Sequence, residues 1–412
     1  IGRMSCDRLG QTLIMETCHE GGKLERLDID WSLFEQDQNK EFAEIGLPHQ
    51  TLERELIFPN DSFTGTRLHI SKLRTFWGRK AKLKLRRSLE KMINPFSGID
   101  DFEIEVISED DRLIDAENSE AYDKVNGPIR NNIREVLEIK TTEIKSQVTK
   151  EYVHTIVRDR GELMYEIKEP NPYRYVKDAS ISLFYLNRAA KNNFTRRMGV
   201  PPTQYGSIFL FRNDFRILPY GEPGDDSLGL DRRAMQGYNR YLGTRDLFGR
   251  IDLHTDNLDL FKEVSSRNAG LIDNEASREL FGYFEKTHRR LERYVVGVLW
   301  GDKFLSREYF KSMDDADKAR KELQNNERDS ETTMHLYRSP GSKVDFMQLV
   351  RSLAQNKDVT IVKFNETLAN IVGNTDEYEL LQEQLLDDLE DLANKTNSQS
   401  LKQSIDDSRA AL

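Results

Sequence analysis

The sequence predicts a mixed α/β (α+β) chain divided into several modest domains. Three observations carry that expectation. Short apolar or alternating runs bounded by turn residues are interleaved with runs of helical period along the first 300 residues. Hydrophobic residues make up 37% and charged residues 32% of the sequence, too polar a balance for one large core. A length of 412 residues suits two or three domains of ordinary size.

The elements follow in order. The run QTLIME at 11–16 predicts a strand, preceded by a short helix ending at Gly10. Further strands are expected near 24–29, at Thr51–Phe58 and at Gly65–Ile70. A helix is expected from Trp77 to Ile93, with Leu85, Leu89 and Met92 on one face and Asn94-Pro95 ending it. Phe102–Ile107 alternates as a strand, which closes a first domain at 1–107. The acidic, apolar-poor stretch 108–125 suits a linker.

A second α/β domain is expected over 126–300. Its strands are placed at Ile133–Ile139, Tyr152–Val157, Ile181–Leu186, Ser207–Arg212 and Arg250–Leu253, with a helix between the third and fourth. Residues 275–293 predict an amphipathic helix with Leu280, Phe284 and Leu291 among its apolar positions. The apolar run Tyr294–Trp300 closes the domain and is too short to cross a membrane. A charged helical region is expected over 301–412, including a helix near Lys343–Leu353. Within it Tyr378, Leu381, Leu385, Leu389 and Leu392 recur at helical spacing, suited to another helix or to the protein's own body.

Charge and cysteine usage narrow the function classes. The formal charge is -10, which excludes a general nucleic-acid coat and leaves room for a local basic patch. Such a patch exists: Arg67, Lys72, Arg74, Arg79, Lys80, Lys82, Lys84, Arg86, Arg87 and Lys91 stand against Glu90 alone. It suits either nucleic acid or an acidic surface, including the acidic 108–125 segment. Two cysteines build neither a disulfide framework nor a four-ligand zinc site, and a cytoplasmic location is expected.

Two motifs carry chemistry. Gly2-Arg3 precedes Asp7-Arg8-Leu9-Gly10, a glycine turn before a short helix, where backbone N–H groups can face an anion. Gly65-Thr66 opens a strand in the pattern Gly-Thr-x-hydrophobic-x-hydrophobic, followed by a helix.

The order of these pieces within about a hundred residues resembles the later part of the ATP-binding domain of GHKL ATPases (gyrase B, Hsp90, histidine kinases and MutL). The resemblance implies a partial Bergerat-type sandwich, an S5-like or transducer α/β domain after it, and the charged helical region last. It implies ATP as ligand, with Gly2 and Arg3 at the end of the lid and Gly65 and Thr66 beside the base. The family's glutamate- and asparagine-bearing helix and its Asp-x-Gly-x-Gly segment have no counterpart here; they and the Mg2+ ligand are expected upstream, as is chain preceding Ile1. The family's second domain sends a cation to the γ-phosphate. The stretch from Phe209 to Leu271 offers Arg232, Arg233, Arg240, Arg245 and Arg267, and the expectation is Arg267 first and Arg245 second. This stretch resembles prokaryotic GHKL proteins, several from anti-phage systems.

Three functions are compatible: an ATP-driven switch or dimerisation clamp, a nucleic-acid-associated effector of the MutL or MORC kind, and a scaffold with a degenerate ATP site. The resemblance further implies a homodimer or a larger complex with an effector protein; no membrane span is expected, because no apolar run approaches twenty residues.

Overall fold

The computed structural model describes residues 6–35, 48–53, 56–93, 103–118, 121–129, 141–236, 240–264, 270–301 and 340–369, with single or paired positions at 318, 321, 390, 393, 394, 399, 402, 403, 405 and 406. It divides into two compact units, Ile1–Leu85 and Arg86–Leu412. The mixed α/β expectation holds.

The first unit is a four-stranded antiparallel sheet. Its strands are β1 (Gly10–Cys18), β2 (Leu24–Asp30), β3 (His49–Leu52) and β4 (Gly65–Leu73), in the spatial order β3-β2-β1-β4. A short helix, α1 (Ser32–Glu35), follows β2. The strand expected over Thr51–Phe58 is shorter, because Leu52 already pairs with Leu24 at the start of β2, so the partner runs out. Phe58 instead bridges Ser62 across the turn that leads into β4. The core is small: Cys6, Leu13, Leu24, Trp31 and Phe58.

Helix α2 (Arg79–Glu90) carries the boundary between the units. Its expected apolar face is not its buried one. Leu85 and Met92 are exposed, whereas Arg86 is buried and donates to the carbonyls of Val125, Gly127 and Pro128 at 3.2, 3.1 and 2.8 Å. A guanidinium has donors enough to satisfy three carbonyls at once, which makes such burial tolerable.

The second unit begins with a two-stranded ladder, β5 (Glu105–Val106) with β6 (Gly127–Pro128). Between them, the acidic stretch carries a 3₁₀ turn at Glu109–Asp111, helix α3 (Arg112–Glu117) and a second 3₁₀ turn at Ala121–Asp123. The buried Asp115 carboxylate accepts the N–H groups of Val125 and Asn126 at 3.0 and 2.7 Å. Composition alone suggests solvated charge; here an acid is an acceptor that closes a loop.

The main body is an eight-stranded mixed sheet. Its strands are β7 (Thr142–Val148), β8 (Tyr152–Asp159), β9 (Glu162–Pro170), β10 (Ala179–Tyr185), β11 (Ile208–Arg212), β12 (Phe215–Ile217), β13 (Leu247–Leu253) and β14 (Thr360–Phe364). The order is β12-β11-β13-β10-β7-β8-β9-β14, antiparallel except for β11 beside β13. Helices α4 (Arg188–Met198), α5 (Pro202–Tyr205) and α6 (Leu230–Met235) lie in the β10–β13 connections. Gly249 is required where β13 crosses β10, since a side chain there would run into the Ser182 carbonyl.

Helix α7 (Glu275–Tyr294) packs on β7 and β10 and continues into a π-helical turn at Val295–Leu299. Helices α8 (Pro340–Ala354) and α9 (Glu366–Ala369) flank β14. The sequence reading placed helices at 275–293 and near Lys343–Leu353, as observed. The strand expected at Ile133–Ile139 and most of the remaining helical region lie outside the described residues.

Asn274 caps α7 by a reciprocal box: its Oδ1 accepts from the Ser277 N–H at 2.9 Å, and Ser277 Oγ accepts from the Asn274 N–H at 3.0 Å. Its amide also donates to the Leu260 carbonyl at 2.8 Å. Replacing it, Asn274→Ala, is expected to cost about 1 kcal/mol. Urea unfolding of parent and variant measures this, and equal midpoints would remove the cap from the account.

Candidate functional site

The Gly-Thr strand is where sequence and structure meet. Strands β1 and β4 pair with Thr17 opposite Thr66 and Cys18 opposite Gly65. The hydroxyls of Thr17 and Thr66 are 2.9 Å apart, and Thr17 Oγ1 donates to the Gly65 carbonyl at 3.2 Å. A hydroxyl has one proton, and that of Thr17 is taken by the carbonyl. Thr66 therefore donates to Thr17 and keeps acceptor capacity for an outside N–H group. Its side chain is exposed, so that capacity is accessible.

Gly65 fits this corner for a steric reason. A Cβ there would sit 2.8 Å from the Phe58 ring, which is buried in the small core. Strand alternation sends the neighbouring pair to the opposite face. There the buried Glu16 meets Arg67 at 3.2 Å and Arg26 at 3.9 Å. The hydroxyl pair thus stands on the face opposite that ion pair.

The other expected site residues are distributed differently. Gly2, Arg3 and Arg267 lie outside the described residues. Arg245 is exposed on the turn that leads into β13, and no ion pair holds it among the described residues. Arg233 is engaged: its guanidinium bonds the buried Glu292 at 2.6 Å and lies 4.1 Å from the Tyr241 ring centroid. Arg240 also stacks on Tyr241. Within the basic run, Arg67 is held by Glu16, Arg74 by Asp7 and Arg86 by backbone carbonyls. Among the described residues no cluster of three His, Cys, Asp or Glu side chains is arranged to hold a metal ion. No helix among them is long and apolar enough to cross a membrane.

A second site was not anticipated from the sequence. A cavity of about 370 Å³ lies in the larger unit, lined by α7, α8 and Tyr165 of β9. Lys286, Arg289, Arg290 and Arg293 of α7 all line it. Their spacing of three, four and seven residues puts them on one helical face. The signal was present as Lys-x-x-Arg-Arg-x-x-Arg, interleaved with the apolar stripe that drew the helix prediction.

Two of the lining cations are tied to Glu169, which stands behind the cavity wall and does not line it. Glu169 is buried on β9, and accepts from Lys286 at 2.6 Å and from Arg290 at 2.7 Å. Burial works against its charge, but the Arg290 bond and charge, with those of Lys286, outweigh it and hold its carboxyl below the usual range. Burial pushes the Tyr165 phenol up to about 12, so it stays a neutral wall at physiological pH.

No family model matches this sequence, and no curated protein matches it. Among solved structures, the chain is similar to the 43K ATPase domain of Thermus thermophilus gyrase B, in complex with an aminocoumarin. The identity is 10% and the TM-score 0.26, over 78% of this chain and 71% of that one. At that TM-score the likeness carries no argument about this protein.

The Glu169 cluster predicts a pH dependence with a definite sign. A carboxyl whose folded pKa is depressed stabilises the fold above its unfolded value, and that stability is lost as pH falls through the folded value. Glu169→Gln is therefore expected to cost about 2 kcal/mol at pH 7, by leaving the partly buried Arg290 and the more exposed Lys286 without a charged acceptor. The gap between parent and variant should narrow as pH falls below the ordinary value of 4.5. Urea unfolding across that range tests it; a gap independent of pH would contradict the assignment.

Proposed function

We propose that this chain is part of an ATP-driven conformational switch of the GHKL kind, in which the β1–β4 corner contacts the adenine base. The observation that carries the reading is the exposed Thr66 hydroxyl, oriented by Thr17 and by the close packing of Gly65 on Phe58. An acceptor fixed in this way suits the amino group of adenine, directly or through a water. The order of motifs around it supports the same reading.

The residues fit the base-recognition half of such a site. They offer an acceptor and a close backbone, while the phosphate-facing residues Gly2 and Arg3 are outside the described part. When bound, Mg2+ would neutralise charge on the phosphates. Hydrolysis would be assisted by a cation of the larger unit, Arg267 or Arg245, meeting charge that develops on the γ-phosphate. Closure and release would then follow nucleotide state, in a homodimer or in a complex with an effector. The nucleic-acid reading has less support, because three cations of the basic run are engaged internally.

Equilibrium binding of ATP to the full-length protein tests the base contact. Thr66→Ala is expected to weaken binding by about fivefold, the worth of one well-placed hydrogen bond. Thr66→Ser, which keeps the hydroxyl, should bind within about twofold of the parent. Unchanged binding by Thr66→Ala would remove the contact. For the cation, Arg267→Ala and Arg245→Ala are compared for binding and turnover separately. Lost turnover with binding retained is the expected signature for one of them, and parental turnover in both would discard the pair.

A further inference from the structure

We propose that the cavity between α7 and α8 binds a small oligophosphate, two or more linked phosphoryl groups, along the cationic row of α7. This goes beyond the base contact of the smaller unit and rests on none of its residues.

The first argument is charge. Lys286, Arg289, Arg290 and Arg293 converge on one cavity. Like charges three or four residues apart on a helix repel, by about 0.2–0.5 kcal/mol for each pair. The buried Glu169 accounts for two of the four, Lys286 and Arg290, and in doing so fastens α7 to β9. Structural anchoring needs no more than that. Arg289 is met by Glu285, a carboxylate that also lines the cavity one turn back along the helix, in a pair that is more than half exposed. Such a pair is worth little and is readily exchanged for a better anion. For Arg293 no ion pair occurs among the described residues. Two of the four charges at this cavity are thus left weakly compensated or uncompensated by the described carboxylates. The helix dipole makes cations tolerable in a last turn, but does not require them to line one cavity.

The second argument is shape. A volume of about 370 Å³ falls within the range of small-molecule sites. The far wall is mainly apolar, made by Leu349, Leu353 and Val359 with Ser352 and Asn356 among them. An apolar wall lowers the local dielectric and strengthens the attraction of guanidinium groups for an anion. From Lys286 to Arg293 the row rises about 10 Å along the helix axis, at 1.5 Å per residue. One orthophosphate covers a fraction of that length, whereas linked phosphoryl groups can engage several cations together. Guanidinium groups present paired donors that match phosphate oxygens. Asn356 adds a neutral donor on the opposite wall: its Oδ1 accepts from the Asp358 N–H, which leaves the amide nitrogen available.

The test is calorimetric titration of the full-length protein with inorganic tripolyphosphate and with orthophosphate, at low and moderate salt. Tripolyphosphate is expected to bind at least tenfold more tightly than orthophosphate, and to weaken steeply with salt. The double variant R289A/R293A should lose at least tenfold in tripolyphosphate affinity. It leaves the Glu169 anchor intact, and circular dichroism with thermal melting verifies its fold. R289K/R293K, which keeps both charges, should recover most of the affinity. Thr66→Ala should bind tripolyphosphate as the parent does, which separates this cavity from the proposed adenine contact. The proposal is overturned if the parent shows no binding at millimolar tripolyphosphate, or if R289A/R293A binds as well as the parent. It is equally overturned if Thr66→Ala abolishes the binding.

Discussion

The packing of α7 across β7 and β10 is the interaction on which the larger unit depends. Leu280, Tyr283, Phe284, Leu291 and Tyr294 are buried there. Each large apolar side chain contributes about 1.5–3 kcal/mol by leaving water. The helix also carries two buried carboxylate contacts that set its rotation. Lys286 and Arg290 reach across to Glu169 on β9. Glu292 takes Arg233 and the Leu242 N–H, at 2.6 and 3.1 Å, and so ties the α6 segment to the same helix. His288 is buried beside these groups, and burial holds its pKa low, so its charge does not compete with Arg233 for Glu292. Because apolar and ionic contacts fix the same rotation, the remaining face and its basic row are directed at α8 and at Tyr165 of β9.

The same arithmetic limits what the smaller unit can do. One accepted hydrogen bond at Thr66 is worth about 1 kcal/mol net, whereas micromolar binding needs about 8 kcal/mol. On the proposed reading, the β1–β4 corner would therefore supply discrimination between bases rather than affinity. Affinity would then come from stacking, phosphate contacts and metal. In a small sheet with a small core, a rigid acceptor still discriminates well, since a ligand without the matching donor leaves it unpaired.

The apolar and alternating elements were legible in the sequence, and the paired polar ones were not. Helix α7 was recognised from Leu280, Phe284 and Leu291, and strands β1, β2, β4, β10 and β11 from their patterns. Central strand β7 was missed because Thr142, Glu143 and Ser146 make it look solvated. In the fold, Thr142 donates to Asp159 and Ser146 pairs with Thr155, so polarity is satisfied across strands rather than by water. Strand β9 was missed for the same reason, its Glu169 being answered by cations from a helix more than a hundred residues later. Arg86 shows the converse: a charged residue in a basic run is the buried one on α2. Of the candidate site, the strand start at Gly65-Thr66 was legible because its pattern is local. The basic cavity was not, because it needs α8 and β9 brought beside α7.

The central claim is that the start of β4 contacts bound nucleotide. Hydrogen exchange of backbone amides in the full-length protein, with and without saturating ATP, tests it most directly. Contact predicts slowed exchange at the first residues of β4 and at the end of β1, around Thr66 and Thr17. ATP binding that leaves these amides unchanged, while protecting others, would contradict it.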